Sequence, residues 1–261
     1  MPPFSRVLAA CALVLLLLQA GPSRAESSSA KPPRCEAPPD LTRLDQPLSR
    51  LAVRLATGKP VIIVAIGSSS TAGAGASSPA AAYPSRLEAD LRARFPAVSI
   101  GVINRGVNGE TARQMLARFG DVAADEPALV LWQVGTNSVL RNHSLVGEAP
   151  LIRRGIARLR ETGADVVLIE PQYAPKVLAK PDAPAMVEII RKAAREAGVG
   201  VFRRWDIMRK WHDADGLPFE TVLAPDGLHM NDWSYACLAK LLAGAIVDAA
   251  RPSVARAPAR P

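Results

Sequence analysis

The sequence predicts an α/β protein, a three-layer α/β/α sandwich around a mostly parallel sheet of about five strands. Three observations predict it. Val61-Ile62-Ile63-Val64-Ala65-Ile66 is a continuous apolar, mostly β-branched run, the pattern of a strand buried on both faces. Further short apolar runs alternate with helical periodicities along the chain, which implies βαβ crossovers. No internal repeat or second compositional regime divides the 261 residues, 49 % of them apolar, so a single core is expected, from residues 41 to 250.

Residues 1–25 stand apart. Arg6 gives a positive start, residues 7–18 form a twelve-residue apolar run, and Ser23-Arg24-Ala25 places small residues at the −3 and −1 positions of a cleavage point. This is the pattern of a cleavable secretory signal peptide. The run falls short of the roughly 20 apolar residues of a spanning helix, so no stable membrane anchor is expected after leader removal. Leu8-Ala9-Ala10-Cys11 resembles a lipoprotein cleavage box but stands at the start of the apolar run rather than behind it. The expected location is periplasmic or secreted. Residues 26–40, rich in Ser, Ala and Pro, read as a flexible arm, and residues 251–261 as a loose basic tail.

The elements follow in order. Leu44, Leu48, Leu51 and Leu55 recur at helical steps, with Pro47 suited to a first turn and Gly58 to a stop. The strand from Val61 ends in Gly67-Ser68-Ser69-Ser70-Thr71. Residues 83–95 read as a helix with Leu87 and Leu91 on one face, residues 98–103 as a second strand ending in Asn104-Arg105-Gly106, and residues 110–119 as a helix. Ala128-Leu129-Val130-Leu131-Trp132 is a third strand, ending in Gly135-Thr136-Asn137. Helices over 151–161 and 184–197, strands over 166–169 and 199–202, and a last helix over 232–249 complete the pattern.

Charge and composition exclude several classes. The formal charge of +8 becomes +6 once Arg6 and Arg24 leave with the leader, which holds no Asp or Glu. The cations are spread out, with no dense basic run and no interleaved aromatics, so no nucleic-acid partner is expected. Residues 67–75 are glycine-rich but match neither a phosphate loop nor a dinucleotide fingerprint. His212 near Asp213 and Asp215 has no second His or Cys at ligand spacing, so neither metal nor cofactor is expected. His143 reads as a surface residue, near enough to Asn137 in sequence for a rim role. Of the three cysteines, Cys11 leaves with the leader; Cys35 and Cys237 either pair or remain buried thiols.

If the strands are parallel, the three polar turns lie on one edge of the sheet, where α/β proteins bind ligands. A fourth cluster, Pro225-Asp226-Gly227-Leu228-His229-Met230-Asn231, precedes the last helix. The spacing of Asp226 and His229 lets the carboxylate hold one ring nitrogen while the other points away, as a general base requires.

These four blocks resemble those of the SGNH hydrolases, also called GDSL-type esterases and lipases, which are named for Ser, Gly, Asn and His in that order. The resemblance places them at Ser69, Gly106, Asn137 and His229, with Asp226 completing an Asp-x-x-His motif, and spans most of the mature chain. It implies a flavodoxin-like fold and hydrolysis of acyl esters through a Ser69–His229–Asp226 triad. It also implies an oxyanion hole made by the Ser69 and Gly106 backbone N–H groups and the Asn137 side chain. Two departures mark a subgroup: Ser68 stands where the family usually has Asp, and Ser138 follows Asn137 where Asp is common. Export favours short acyl esters, such as acetyl groups on envelope carbohydrate, with Trp205, Trp211 and Trp233 as a sugar platform or as core. A lipid or lysophospholipid esterase, an acyltransferase and a non-catalytic glycan-binding protein are the alternatives.

Overall fold

The computed structural model describes residues 33–251; the expected leader, residues 26–32 of the arm and the tail beyond Arg251 lie outside the described residues. Five strands, β1 (Val61–Gly67), β2 (Ile100–Gly106), β3 (Leu129–Gln133), β4 (Asp165–Ile169) and β5 (Gly200–Phe202), form one sheet in the order β2-β1-β3-β4-β5. Every pairing is parallel. β1 and β3 lie inside the sheet, and Val61, Ile63, Val64, Ile66, Leu129, Val130, Leu131 and Trp132 are fully buried. That is why both strands read as unbroken apolar runs.

Five helices of eight residues or more flank the sheet among the described residues: α1 (Ser49–Ala56), α2 (Tyr83–Arg94), α3 (Leu145–Arg160), α4 (Ala183–Ala197) and α5 (Asp232–Ala249). α2 packs on α5, and α3 packs on α4. Because β2 and β3 lie on either side of β1, the chain leaves the sheet in opposite directions at this point. The loops after β1, β2 and β3 therefore open a crevice at the carboxyl edge.

Several expectations are corrected. The second strand extends through Asn104-Arg105-Gly106, with Gly106 in register with Gly67. β2 is an edge strand, where polar residues are tolerated: Asn104 is exposed and Arg105 pairs with Asp125. An edge strand with polar residues looks like a turn in sequence. α3 starts at Leu145 rather than 151 and contains Pro150. The carbonyl that Pro150 leaves without its helical donor belongs to Val146, which is 84 % exposed, so water can satisfy it.

The arm expected over 26–40 is pinned at its described end. Cys35 forms a disulfide with Cys237 of α5, the Glu36 carbonyl accepts from Trp211 Nε1 at 3.1 Å, and Pro39–Thr42 is a helical turn. Trp205 and Trp211 are core residues. A short helix (Arg204–Arg209) and a π-helical turn (Lys210–Ala214) carry them inward, and Trp233 packs edge-on against Trp211. These three indoles thus form no exposed platform.

Candidate active site

β1 delivers Gly67 to the sheet edge, and the chain turns at once into a one-turn helix, Ser69–Ala72. Ser69 is half-buried at the first position of that helix. Its Oγ lies 2.8 Å from Nε2 of His229. On the other side of the ring, Nδ1 meets Asp226 Oδ2 at 2.5 Å. The three side chains thus form a line from hydroxyl to carboxylate.

The loop carrying His229 is held from several directions. Leu223 and Met230 form an antiparallel bridge, and Ala224 N–H donates to His229 O at 2.8 Å. Asp226 Oδ1 accepts from the backbone N–H of Leu228 and of His229, at 3.0 and 2.9 Å. Burial would raise the Asp226 carboxyl, but these two N–H groups and the His229 ring hold it below the usual carboxylate range. Asn231 caps α5 through Ser234 N–H. Gly75, at φ +86°, has no room for a side chain, because a Cβ would lie 2.4 Å from Met230 O and 2.9 Å from His229 Cβ. A cavity of about 450 Å³ runs beside this loop, with Pro175, Phe219, Glu220 and Gly227 in its wall.

A carboxylate on Nδ1 fixes the proton there and leaves Nε2 as the acceptor, facing the serine. The arrangement can therefore take a proton from Ser69 and stabilise the resulting imidazolium.

The donors expected for an oxyanion hole are engaged differently from the sequence expectation. Asn137 sits in a short helix (Thr136–Leu140) that starts after Gly135 at φ +99°. One Nδ2 hydrogen goes to Glu110 O at 2.9 Å, and the amide has a second hydrogen to offer. The Gly106 N–H is already engaged by Asn104 Oδ1 at 2.9 Å. Gly106 makes room for the Ser69–Ala72 turn instead of for a substrate oxygen. The polar turn after β2 begins one residue later, at Val107. There Gly109, at φ +78°, keeps its N–H without a protein partner among the described residues and lies one residue from the carbonyl that anchors Asn137. Its own carbonyl accepts from Arg141 Nη2 at 2.7 Å. Asn104-Arg105-Gly106 continues β2 instead of turning, so the expected donor at Gly106 stays within the sheet edge.

A scan against protein-family models matches residues 34–252 to the Non-GDSL lipase-like family. The chain belongs to that family. The description suits the first block, where Ser68 replaces the aspartate of the GDSL signature. A sequence comparison with curated proteins returned no match. Among solved structures, this non-GDSL lipase-like chain superposes on a two-domain esterase active on acetylated mannans with a TM-score of 0.67 at 20 % identity. The match covers 81 % of this chain and 57 % of that one, so the chain spans little more than half of that relative. An acetyl-xylooligosaccharide esterase mutant from Geobacillus stearothermophilus gives 0.61 at 21 % identity over 71 % and 94 % of the two chains. A peptidoglycan O-acetylesterase gives 0.63 at 14 % identity over 78 % and 96 %. At these identities the likeness establishes the fold.

His143 and His212, the remaining histidines, are occupied elsewhere. His143 Nδ1 lies 3.4 Å from Glu148. His212 stacks on Phe219 with ring centroids 3.7 Å apart. Outside the sequence expectation altogether, Gln133 and Gln172 lie buried beneath the site. Their position in a strand and a loop, without any charge, gives no sequence signal of a role.

Proposed function

We propose that this protein is an exported serine esterase that removes short acyl groups, acetyl above all, from cell-envelope carbohydrate. The observation that carries the reading is the 2.8 Å approach of Ser69 Oγ to His229 Nε2, with Asp226 on the opposite nitrogen. Ser69 attacks the ester carbonyl while His229 takes the hydroxyl proton. His229 then protonates the departing alcohol, and water cleaves the acyl-enzyme with the same base. The developing oxyanion is met by the Ser69 N–H, the Gly109 N–H and the second Asn137 Nδ2 hydrogen. The remainder of the substrate lies along the cavity beside the Asp226–His229 loop.

The leader pattern and the cysteine pairing suited to an oxidising compartment support export, and neighbours of the same fold described as acting on acetylated mannan, xylo-oligosaccharide and peptidoglycan support carbohydrate over lipid. No helix of the described residues is long and apolar enough to cross a membrane.

The test is labelling by a fluorophosphonate, together with turnover of an ester series from acetyl to long-chain acyl groups. The expected result is rapid labelling of the wild-type protein, none of Ser69→Ala, and turnover that falls steeply with chain length. Labelling unaffected by Ser69→Ala overturns the nucleophile, and preference for long chains overturns the carbohydrate substrate.

A further inference from the structure

The loops that bring Ser69 and His229 together come from opposite ends of the domain's sequence, and a line of buried side chains joins them underneath. Ser68 donates from both its backbone N–H and its Oγ to Gln133 Oε1, each at 2.9 Å. Gln133 Nε2 lies 3.4 Å from Thr136 Oγ1, and Thr136 Oγ1 donates to Gln172 Oε1 at 3.0 Å. Gln172 Nε2 then donates to the carbonyl of Leu228 at 3.3 Å, the residue before His229. Ser68, Gln133, Thr136 and Gln172 are each no more than 4 % exposed.

The direction of every bond in this line is fixed by its ends. At one end the Ser68 N–H is a donor only. At the other, Arg204 is a donor only; it is buried, gives Nη2 to Gln172 Oε1 at 2.9 Å and gives Nε to Glu170 O at 2.7 Å. A guanidinium forces the carboxamide oxygen of Gln172 toward itself, so the amide nitrogen must face Leu228. In the same way, the two Ser68 donors force the oxygen of Gln133 toward β1 and its nitrogen toward Thr136. Neither amide can flip without placing donor against donor in a dry interior. Gly67 completes the fit, since a Cβ there would lie 2.9 Å from Gln133 Cβ and Oε1 and 2.2 Å from Thr71 Oγ1.

We infer that Gln133 and Gln172 are positioning residues that set the separation of Ser69 and His229 by tying the Ser68 turn to the Leu228 carbonyl through Thr136. The inference rests on the proposed esterase reading for its catalytic meaning but not for its geometry. It also accounts for the missing aspartate of the first block: the neutral Ser68–Gln133 pair holds the turn in its place. Both glutamines act through Ser68 and Leu228 and touch no substrate atom.

Gln172→Glu is the diagnostic variant. It keeps an oxygen for Thr136 and Arg204, and adds a carboxylate partner for the buried guanidinium, while turning the donor that faces Leu228 into an acceptor. Gln133→Met, which removes the acceptor for Ser68, is the second variant if the first fails to fold. Turnover of a short acetyl ester is measured together with the nitrogen NMR signals of the His229 ring, which need no turnover. The expected result is a fall in kcat of about ten- to a hundredfold, with KM changed by less than about twofold, because misplacement of the reacting groups weakens the transition state and not the ground state. The His229 ring signals shift or broaden in both variants. Wild-type kcat and wild-type ring signals in both variants would overturn the inference. If the wild-type protein neither turns over esters nor reacts with a fluorophosphonate, the esterase reading fails, and the ring signals alone then decide the positioning role: displaced signals support it, unchanged ones overturn it.

Discussion

Gly106 lies directly under Ala72: a Cβ on the glycine would come within 2.1 Å of the Ala72 nitrogen. The turn that begins with Ser69 is therefore seated on a bare stretch of β2 backbone. Gly106→Ala has to push that turn away, and neither partner is a flexible side chain. The expected cost is that of overpacking, about 1–3 kcal/mol, seen as a lower midpoint in thermal unfolding. Activity should fall as well, because the displaced backbone carries Ser69.

Gly109→Ala should behave differently. Its nearest neighbour is the end of Arg141, at 3.3 Å, so space is available and the strain comes from φ +78°. A left-handed alanine costs about 1–2 kcal/mol. Asn137→Ala has no such backbone strain and removes the side-chain donor alone. Its kcat should fall by about 10²–10³ with a smaller change in KM, measured on a short acetyl ester. An unchanged kcat in Asn137→Ala would remove that residue from the oxyanion site.

The Asp226 carboxyl should leave a signature in stability against pH. Its folded pKa is held below the ordinary carboxylate value. The stabilisation is thus complete above the unfolded value, about 3.9, and is lost as pH falls through the folded one. Asp226→Asn should therefore show a shallower loss of stability than the wild-type protein on acidification below about pH 4. Denaturant titrations at stepped pH measure the difference; parallel curves would contradict it.

Removing the Cys35–Cys237 bridge should destabilise the domain substantially. The bridge closes a chain segment of 202 residues in sequence separation. Constraining so long a segment in the unfolded state stabilises a protein by about 2–5 kcal/mol. Thermal unfolding with and without reductant, or of a Cys35→Ser/Cys237→Ser double variant, checks this. A gel shift between reduced and unreduced alkylated protein establishes the bond itself.

Arg191 carries a different kind of load. Its Nε and Nη2 each reach a carboxylate at 2.6 Å, Glu170 and Asp206 respectively, and Glu170 is fully buried. Burial raises the Glu170 carboxyl despite the guanidinium beside it. Arg191→Met would strand that carboxylate, at a cost of about 3–5 kcal/mol, again read in thermal unfolding. Glu170 also supplies the carbonyl that Arg204 holds, so the buried line beneath the site should loosen in the same variant.

The parts of the molecule that were legible from the residues are those where one physical signal dominates. β1 and β3 are buried on both faces and could be nothing else. The last helix begins at Asp232 as expected, because Asn231 is a strong cap and the apolar pattern behind it is long. Ser69, Asp226 and His229 stand in polar loops of the sequence, and the fold brings their side chains together. What could not be read was set by tertiary context. Asn104-Arg105-Gly106 has turn chemistry, yet it pairs along the edge of the sheet because β1 offers it a partner. Trp205 and Trp211 stand in a polar segment whose residue types leave a sugar platform and core both open, and only the packing of the fold decides for core. Gln133 and Gln172 have no pattern at all, since an uncharged amide shows its purpose only through the groups on either side of it.

Ser69 is synthesised early and His229, whose ring faces it, late. The segment with His229 also precedes Cys237 by only a few positions, so the chain gains that imidazole and its covalent clasp in the same final stretch. A polypeptide terminated before that stretch carries Ser69 but lacks both the imidazole that faces it and the cysteine that closes the disulfide.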